Sequence, residues 1–160
     1  MPAPSKADCI VLLRSLGYVL AAVALGGLCS RPGLAWYAGL AKPALTPPDW
    51  LFAPVWLGLA LLMSSSLFLV WRRSGLTPGA CLTTNVYLIM LALNLAWSVL
   101  FFLLRCPGLA LIELTILGWV ALQALTRALA VSRPAGWLLA PYVLWLAFAW
   151  TLNAGVVRLN

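Results

Sequence analysis

The sequence contains no histidine and only three acidic side chains, Asp8, Asp49 and Glu113. Without histidine there is no Ser-His-Asp or Cys-His catalytic arrangement, no histidine metal site and no histidine ligand for a haem iron. Three scattered acids also disfavour catalysis by paired carboxylates. We therefore predict no catalytic residue, no bound metal and no resident cofactor, and expect a ligand to be held by shape, ring stacking and a few hydrogen bonds.

Charge of either sign is scarce. Charged residues make up 8% of the chain and hydrophobic residues 64%, and the mean hydropathy is +1.04. A soluble domain carries about 25% charged residues, so we predict an integral membrane protein. The net charge of +7 comes from ten lysines and arginines scattered near the ends of apolar runs. That pattern favours contacts with anionic lipid headgroups and predicts no nucleic-acid partner.

The four cysteines show no metal or redox motif. Cys9 and Cys29 lie at opposite ends of one predicted helix, roughly 30 Å apart at about 1.5 Å per residue and beyond disulfide reach. Cys29 and Cys106 fall on the same predicted membrane face. Two interpretations of that pair stay open, a disulfide bridge and isolated free thiols.

Five long apolar runs, separated by proline, glycine and arginine, make up most of the chain. They cover residues 10–28, 50–71, 80–104, 109–131 and 137–157, with Asp49 as a predicted helix cap for the second. A membrane-spanning helix needs about 20 apolar residues, and these runs lack the alternation of barrel strands. We predict an all-α integral membrane protein, a five transmembrane helix bundle in which residues 1–160 form a single domain. A cleaved signal peptide is the alternative interpretation of the first run, because Lys6 and Arg14 precede an apolar core.

The connection between the first two runs is rich in proline and aromatic residues. Residues 36–56 contain four prolines and five aromatic side chains. Proline restricts φ and removes backbone donors, while Trp and Tyr rings favour a surface that is half wet and half apolar. The segment is therefore predicted to be stiff, with its rings at the bilayer edge or over a ligand.

Polar residues form stripes on two of the predicted helices. At spacings of three and four residues, the stripe on the third helix contains Tyr87, Met90, Asn94, Trp97, Ser98 and Phe101, and that on the fifth contains Tyr142, Trp145, Ala149, Leu152 and Asn153. A polar residue at bilayer depth should face protein or a cavity. Both interpretations stay open: hydrogen bonds between helices, or a ligand pocket. Two interpretations of Glu113 also stay open. Its side chain either extends toward water or pairs with an arginine, or it takes part in a pocket.

Several spaced motifs occur together and in order. They are Trp36-Tyr37, Lys42-Pro43, Pro47-Pro48, Pro54-Val55-Trp56, Asn94-Leu95-Ala96-Trp97-Ser98, Pro141-Tyr142 and Leu152-Asn153. This combination resembles the translocator protein family, also described as TspO/MBR, tryptophan-rich sensory proteins or the peripheral benzodiazepine receptor type. The resemblance covers nearly all of the chain from Trp36 onward.

The resemblance implies a homodimer of five-helix bundles, in a bacterial envelope membrane or an organelle membrane, with a cavity beneath the first loop. It implies a receptor or carrier for porphyrin or haem, with sterol or lipid as further ligands. The alternative that it implies is an enzyme that degrades porphyrin with the help of tryptophan, in which Trp145 takes part. By motif position the ligand-binding residues are Trp36, Phe52, Ala53, Trp56, Asn94, Trp97, Tyr142, Trp145, Ala149 and Leu152.

Two positions depart from the family pattern. Leu45 stands where an aromatic residue often follows the Lys-Pro pair, and Ala154 stands where an aromatic residue often follows the Leu-Asn pair. The second change removes the cholesterol-recognition pattern proposed for animal members. We expect the frame of the loop to resemble that of the family and its ligand-facing surface to differ.

Overall fold

The described chain is built from helices, as the sequence predicts. The structure is a computed structural model that describes residues 6–73 and 79–160. In these ranges the α-helices are α1 Lys6–Ser30, α2 Leu34–Ala38, α3 Phe52–Arg72, α4 Ala80–Ser98, α5 Pro107–Val131 and α6 Arg133–Leu159. Three-residue 3-10 turns at Arg31–Gly33 and Asp49–Leu51 precede α2 and α3, and a π-helical turn at Val99–Leu103 extends α4. The same ranges contain no β-strand, so the predicted class is confirmed.

Five segments of the described chain are long and apolar enough to cross a membrane, which confirms the predicted number. They are Lys6–Ala38, Asp49–Arg72, Ala80–Leu103, Pro107–Val131 and Arg133–Leu159. The last two begin before the predicted runs because each has a proline in its first helical turn. Proline is tolerated there, since the first backbone N–H groups of a helix have no intrahelical partner.

Two side-chain expectations are settled by the structure. Asp49 opens the 3-10 turn before α3, and no side-chain capping hydrogen bond is made there, so its prediction as a helix cap is wrong. Cys29 and Cys106 are both free thiols. The two cysteines are therefore isolated thiols, and they do not form a disulfide bridge with each other.

The long helices pack as a ring in the order α1, α3, α6, α5 and α4, with α4 returning to α1. The first apolar run is thus a helix of the bundle. Tyr87 joins α4 to α3 by donating from Oη to the carbonyl oxygen of Met63 at 2.8 Å. Ser66 joins α3 to α6 by donating from Oγ to the carbonyl oxygen of Ala135 at 2.7 Å. Such bonds between helices in lipid contribute about 0.6 kcal/mol on average, so packing of the apolar side chains provides most of the stability.

One end of the bundle is built around a very close backbone contact. We call this end of the bundle the loop end, and it contains the C-termini of α1, α4 and α6 and the N-termini of α3 and α5. Gly33 is buried there, and a Cβ atom on it would lie 2.8 Å from the Cα atom of Phe102. Its φ of −93° suits any residue, so glycine is required by lack of space. The absence of a side chain lets the 3-10 turn Arg31–Gly33 pack directly on the π-helical turn.

We predict that Gly33→Ala destabilises the bundle. The added methyl group would collide with backbone atoms of Phe102, which cannot rotate away as a side chain could. We expect the free energy of unfolding to fall by about 2 kcal/mol, the usual cost of overpacking, measured by thermal unfolding in a nonionic detergent. Gly118→Ala in α5 is the control, because nothing lies within 4 Å of its added Cβ atom. Equal stability of the two variants would contradict the proposed steric requirement.

Candidate functional site

A largely apolar cavity of about 710 Å³ begins at the loop end of the bundle. Its exposed rim, which we call the mouth, includes Arg31, Leu34 and Asp49. From there it extends to Leu20 on α1 and Leu117 on α5, about 15 Å deeper at about 1.5 Å per helical residue. Sites for drug-sized ligands occupy about 300–1,000 Å³. The cavity is therefore large enough for a ligand of that size.

Eight of the ten predicted ligand-binding residues line this cavity. They are Phe52, Ala53, Trp56, Asn94, Trp97, Trp145, Ala149 and Leu152. Their spacing of three and four residues puts them on one face of α3, α4 or α6. The structure thus brings them together around one space, and their contact with a ligand stays a prediction.

The other two predicted residues, Trp36 and Tyr142, lie outside the cavity lining. Trp36 packs edge-on against Phe101, with ring centroids 5.8 Å apart. Tyr142 has no exposed surface and donates a hydrogen bond of 3.0 Å from Oη to Oδ1 of Asn94. Tyr142 therefore holds Asn94, a residue of the cavity lining, through a hydrogen bond between two helices. Hydrogen bonding between helices is one of the two interpretations that the polar stripe left open.

Asn94 is a fixed polar group in a largely apolar wall. It is 7% exposed, and Tyr142 occupies its carbonyl oxygen. Its Nδ2 group has no hydrogen-bond partner within residues 6–73 and 79–160. Asn94 can therefore offer hydrogen-bond donors to an acceptor atom inside the cavity.

Aromatic rings form much of the wall. Trp97 stacks on Phe101 with ring centroids 5.1 Å apart and an interplanar angle of 25°. On the opposite side Trp145 meets Phe52 edge-on at 5.9 Å. These contacts hold the indole rings in place, and both indole rings line the cavity.

Three aromatic residues of the cavity lining, all at the loop end, were missing from the predicted set: Tyr37, Phe101 and Phe102. Phe101 and Phe102 are neighbours in sequence, and both line the cavity from the π-helical turn Val99–Leu103. Such a turn has more residues than an α-helical turn and is frequent at functional sites. Helical periodicity alone assigns neighbouring residues to different directions. Phe101 was nevertheless part of the stripe on the third predicted helix, and Tyr37 was part of the Trp36-Tyr37 motif.

The loop formed by residues 39–48 is attached to the end of α6. Asn160 donates from Nδ2 to the carbonyl oxygen of Ala41 at 3.0 Å and accepts from the amide nitrogen of Ala41 at 3.1 Å. Pro43 occupies the space beside Gly155, where a Cβ atom would collide with its ring. Residues 39–48 do not line the cavity, whereas residues of α2 on one side of this loop and Asp49 on the other side do. Leu45 is 74% exposed and does not line the cavity, so this departure from the family pattern lies on the outer surface of the loop.

Glu113 is neither extended to water nor paired with an arginine. It is 8% exposed, and neither carboxylate oxygen has a hydrogen-bond partner within the described residues. Its neighbour Leu114 lines the cavity and Glu113 does not. The structure therefore gives Glu113 a buried position beside the cavity, without the water or arginine contact that one interpretation expected.

Together, these features define an integral membrane protein whose helix bundle encloses an apolar cavity with aromatic walls at one end. The TspO/MBR family profile matches residues 15–159. The chain is 41% identical over 153 residues to the Translocator protein of Sus scrofa, covering 92% of this chain and 90% of that protein. It is 36% identical over 157 residues to the Tryptophan-rich protein TspO of Chlorobaculum tepidum, covering 95% and 93%. It is 34% identical over 137 residues to Protein CrtK of Rhodobacter capsulatus, covering 84% and 83%. The chain belongs to the TspO/MBR family.

We predict that Tyr142→Phe lowers the stability of the bundle by about 1 kcal/mol. The change removes a hydroxyl group and leaves the buried carbonyl oxygen of Asn94 without its donor. Thermal unfolding in a nonionic detergent measures the effect. Tyr18→Phe is the control, because Tyr18 is 55% exposed and loses no hydrogen bond found in the described part of the chain. A Tyr142→Phe variant as stable as that control would argue against an energetic role for this bond.

Proposed function

We propose that this protein is a membrane receptor or carrier that binds tetrapyrroles, such as porphyrin or haem, or similarly flat apolar ligands. The observation that carries the proposal is the cavity of about 710 Å³ with Trp56, Trp97 and Trp145 in its lining. A flat conjugated ring contacts indole rings through offset stacking or edge-to-face packing, which adds about 0.5–1.5 kcal/mol per pair beyond the burial of apolar area.

Polar contacts in such a complex would be few. Asn94 offers hydrogen-bond donors from one wall, where Tyr142 holds its amide group in place. The sequence has no histidine, so a haem would be held by its ring and its substituents without an axial histidine ligand. Sterols and lipids are competing apolar ligands for the same cavity, and homodimer formation stays a prediction from the family resemblance.

Ala149→Phe tests whether the cavity is the binding site. Ala149 lines the cavity, so a phenyl ring in its place would occupy the space that a ligand needs. We expect the Kd for protoporphyrin IX to rise by about tenfold or more, in line with the cost of overpacking a filled site. The measurement is a titration of the purified protein in nonionic detergent, followed by quenching of tryptophan fluorescence.

Ala147→Phe is the matched control. Ala147 lies two residues away on α6 and is exposed outside the cavity lining, so the same substitution there leaves the cavity open. If both variants bind protoporphyrin IX as the unchanged protein does, the ligand does not use this cavity. If the unchanged protein binds no porphyrin, the proposed function is wrong.

The second candidate function is oxidative degradation of porphyrin with the help of tryptophan and light. The specific observation in its favour is that Trp145 lines the cavity and packs against Phe148 at 5.6 Å and Phe52 at 5.9 Å. A ligand in the cavity would therefore contact an indole ring surrounded by aromatic side chains.

Illumination in the presence of dioxygen separates the two functions. For a receptor or carrier, we expect bound protoporphyrin IX to keep its absorption spectrum and to be recovered intact. A degrading enzyme would instead release a new product in the light and not in the dark, and Trp145→Phe would abolish it. Trp137→Phe is the control, because Trp137 is 71% exposed and lies outside the cavity lining. Product formation that survives Trp145→Phe would exclude a chemical role for that residue.

A further inference from the structure

Two charged side chains lie at the mouth of the largely apolar cavity. Arg31 follows the last residue of α1, and Asp49 opens the turn into α3. Both line the cavity and both are exposed. Within the part of the chain that the structure describes, neither side chain forms a salt bridge. A charged group on a bound ligand could therefore reach either of them without displacing an internal partner.

The chemistry of Arg31 suits a carboxylate. A guanidinium group is always charged at ordinary pH, and it presents several N–H donors in a planar arrangement that matches two carboxylate oxygens. Its position also has a simpler explanation, since a cation at a helix C-terminus interacts favourably with the helix dipole. An arginine at the membrane surface can also contact lipid headgroups. The experiment must therefore separate contact with the ligand from these two roles.

Asp49 makes the mouth asymmetric. Its carboxylate repels an anion placed on the α3 side, while Arg31 attracts an anion placed on the α1 side. At about 4 Å a pair of unit charges interacts strongly enough to orient a ligand even near a protein surface. The two side chains together favour one orientation of an acidic ligand over the others.

We propose that Arg31 binds a carboxylate at the edge of the ligand, which keeps the acidic substituent at the mouth while the apolar ring lies between the aromatic walls. This inference rests on the proposed function and narrows its ligands to amphiphiles that combine a flat apolar body with a carboxylate. Arg31 is then a specificity-determining residue, and Asp49 sets the side of the mouth on which the carboxylate lies.

Two ligands with the same ring provide the test. Protoporphyrin IX carries two carboxylates, and its dimethyl ester carries none. Each is titrated in a nonionic detergent, which supplies no charged headgroups, with quenching of tryptophan fluorescence as the readout. We expect Arg31→Gln to raise the Kd for protoporphyrin IX about fivefold, the scale of one exposed ion pair, and to leave the Kd for the ester unchanged. Asp49→Asn should lower the Kd for the acid about twofold by removing a repulsive charge.

Arg158→Gln is the matched control. Arg158 lies near the C-terminal end of α6, also at the loop end, and is exposed outside the cavity lining. The Arg158→Gln substitution removes the same charge from the same end of the bundle, and we expect it to leave the Kd values for the acid and for the ester unchanged.

Three results would overturn the inference while leaving the proposed function in place. Arg31→Gln could leave the Kd for the acid unchanged, as a helix-end or headgroup role predicts. Arg31→Gln could weaken the binding of the acid and of the ester equally, which would indicate a structural effect. Arg158→Gln could raise the Kd for the acid as much as Arg31→Gln does, which would indicate an effect of the general surface potential. If the unchanged protein binds neither porphyrin, the proposed function and this inference fail together.

Discussion

The whole structure depends on the need to satisfy backbone hydrogen bonds where no water is available. In lipid an α-helix meets this need within each segment, so the long apolar runs are helical and irregular backbone lies at their ends. The loop of residues 39–48 follows the same constraint. Its Pro43, Pro47 and Pro48 have no N–H to satisfy, and Asn160 bonds both polar backbone groups of Ala41. A long connection can thus be ordered at the loop end without β-structure or a further helix.

The cavity follows from how side-chain size is distributed around the ring of helices. Small residues line it at positions 26, 27, 53, 60 and 149, so little side-chain volume projects into the centre at these positions. Large rings occupy other parts of the wall and are braced by one another, as in the stack of Trp97 on Phe101. Cores without such space are packed to crystal-like density. A wall of small residues and mutually supported rings therefore keeps a ligand-sized space open in a folded bundle.

Periodicity and composition predicted the parts of the structure that depend on one helix at a time. The number of spans and the shared face of Trp145, Ala149 and Leu152 are of this kind, because a 3.6-residue repeat assigns residues to faces. Features that depend on two elements were not predictable. The sequence puts Tyr142 on the same face as Trp145 but cannot tell that its hydroxyl group meets Asn94 on another helix. Nor does it reveal that Gly33 touches the backbone of Phe102, since no local signal encodes that distance.

The small number of polar groups in the cavity determines what kind of discrimination it can achieve. An apolar wall distinguishes ligands that differ by one methylene group by only about 1–3 kcal/mol, whereas a site that makes specific hydrogen bonds rejects a ligand lacking the partner far more strongly. Here the deep wall offers Asn94, and the mouth offers Arg31 and Asp49. Aromatic walls alone would accept many flat molecules. Under the proposed function, selectivity among them would come from such polar positions, which would act on the edge of a ligand while its ring supplies most of the affinity.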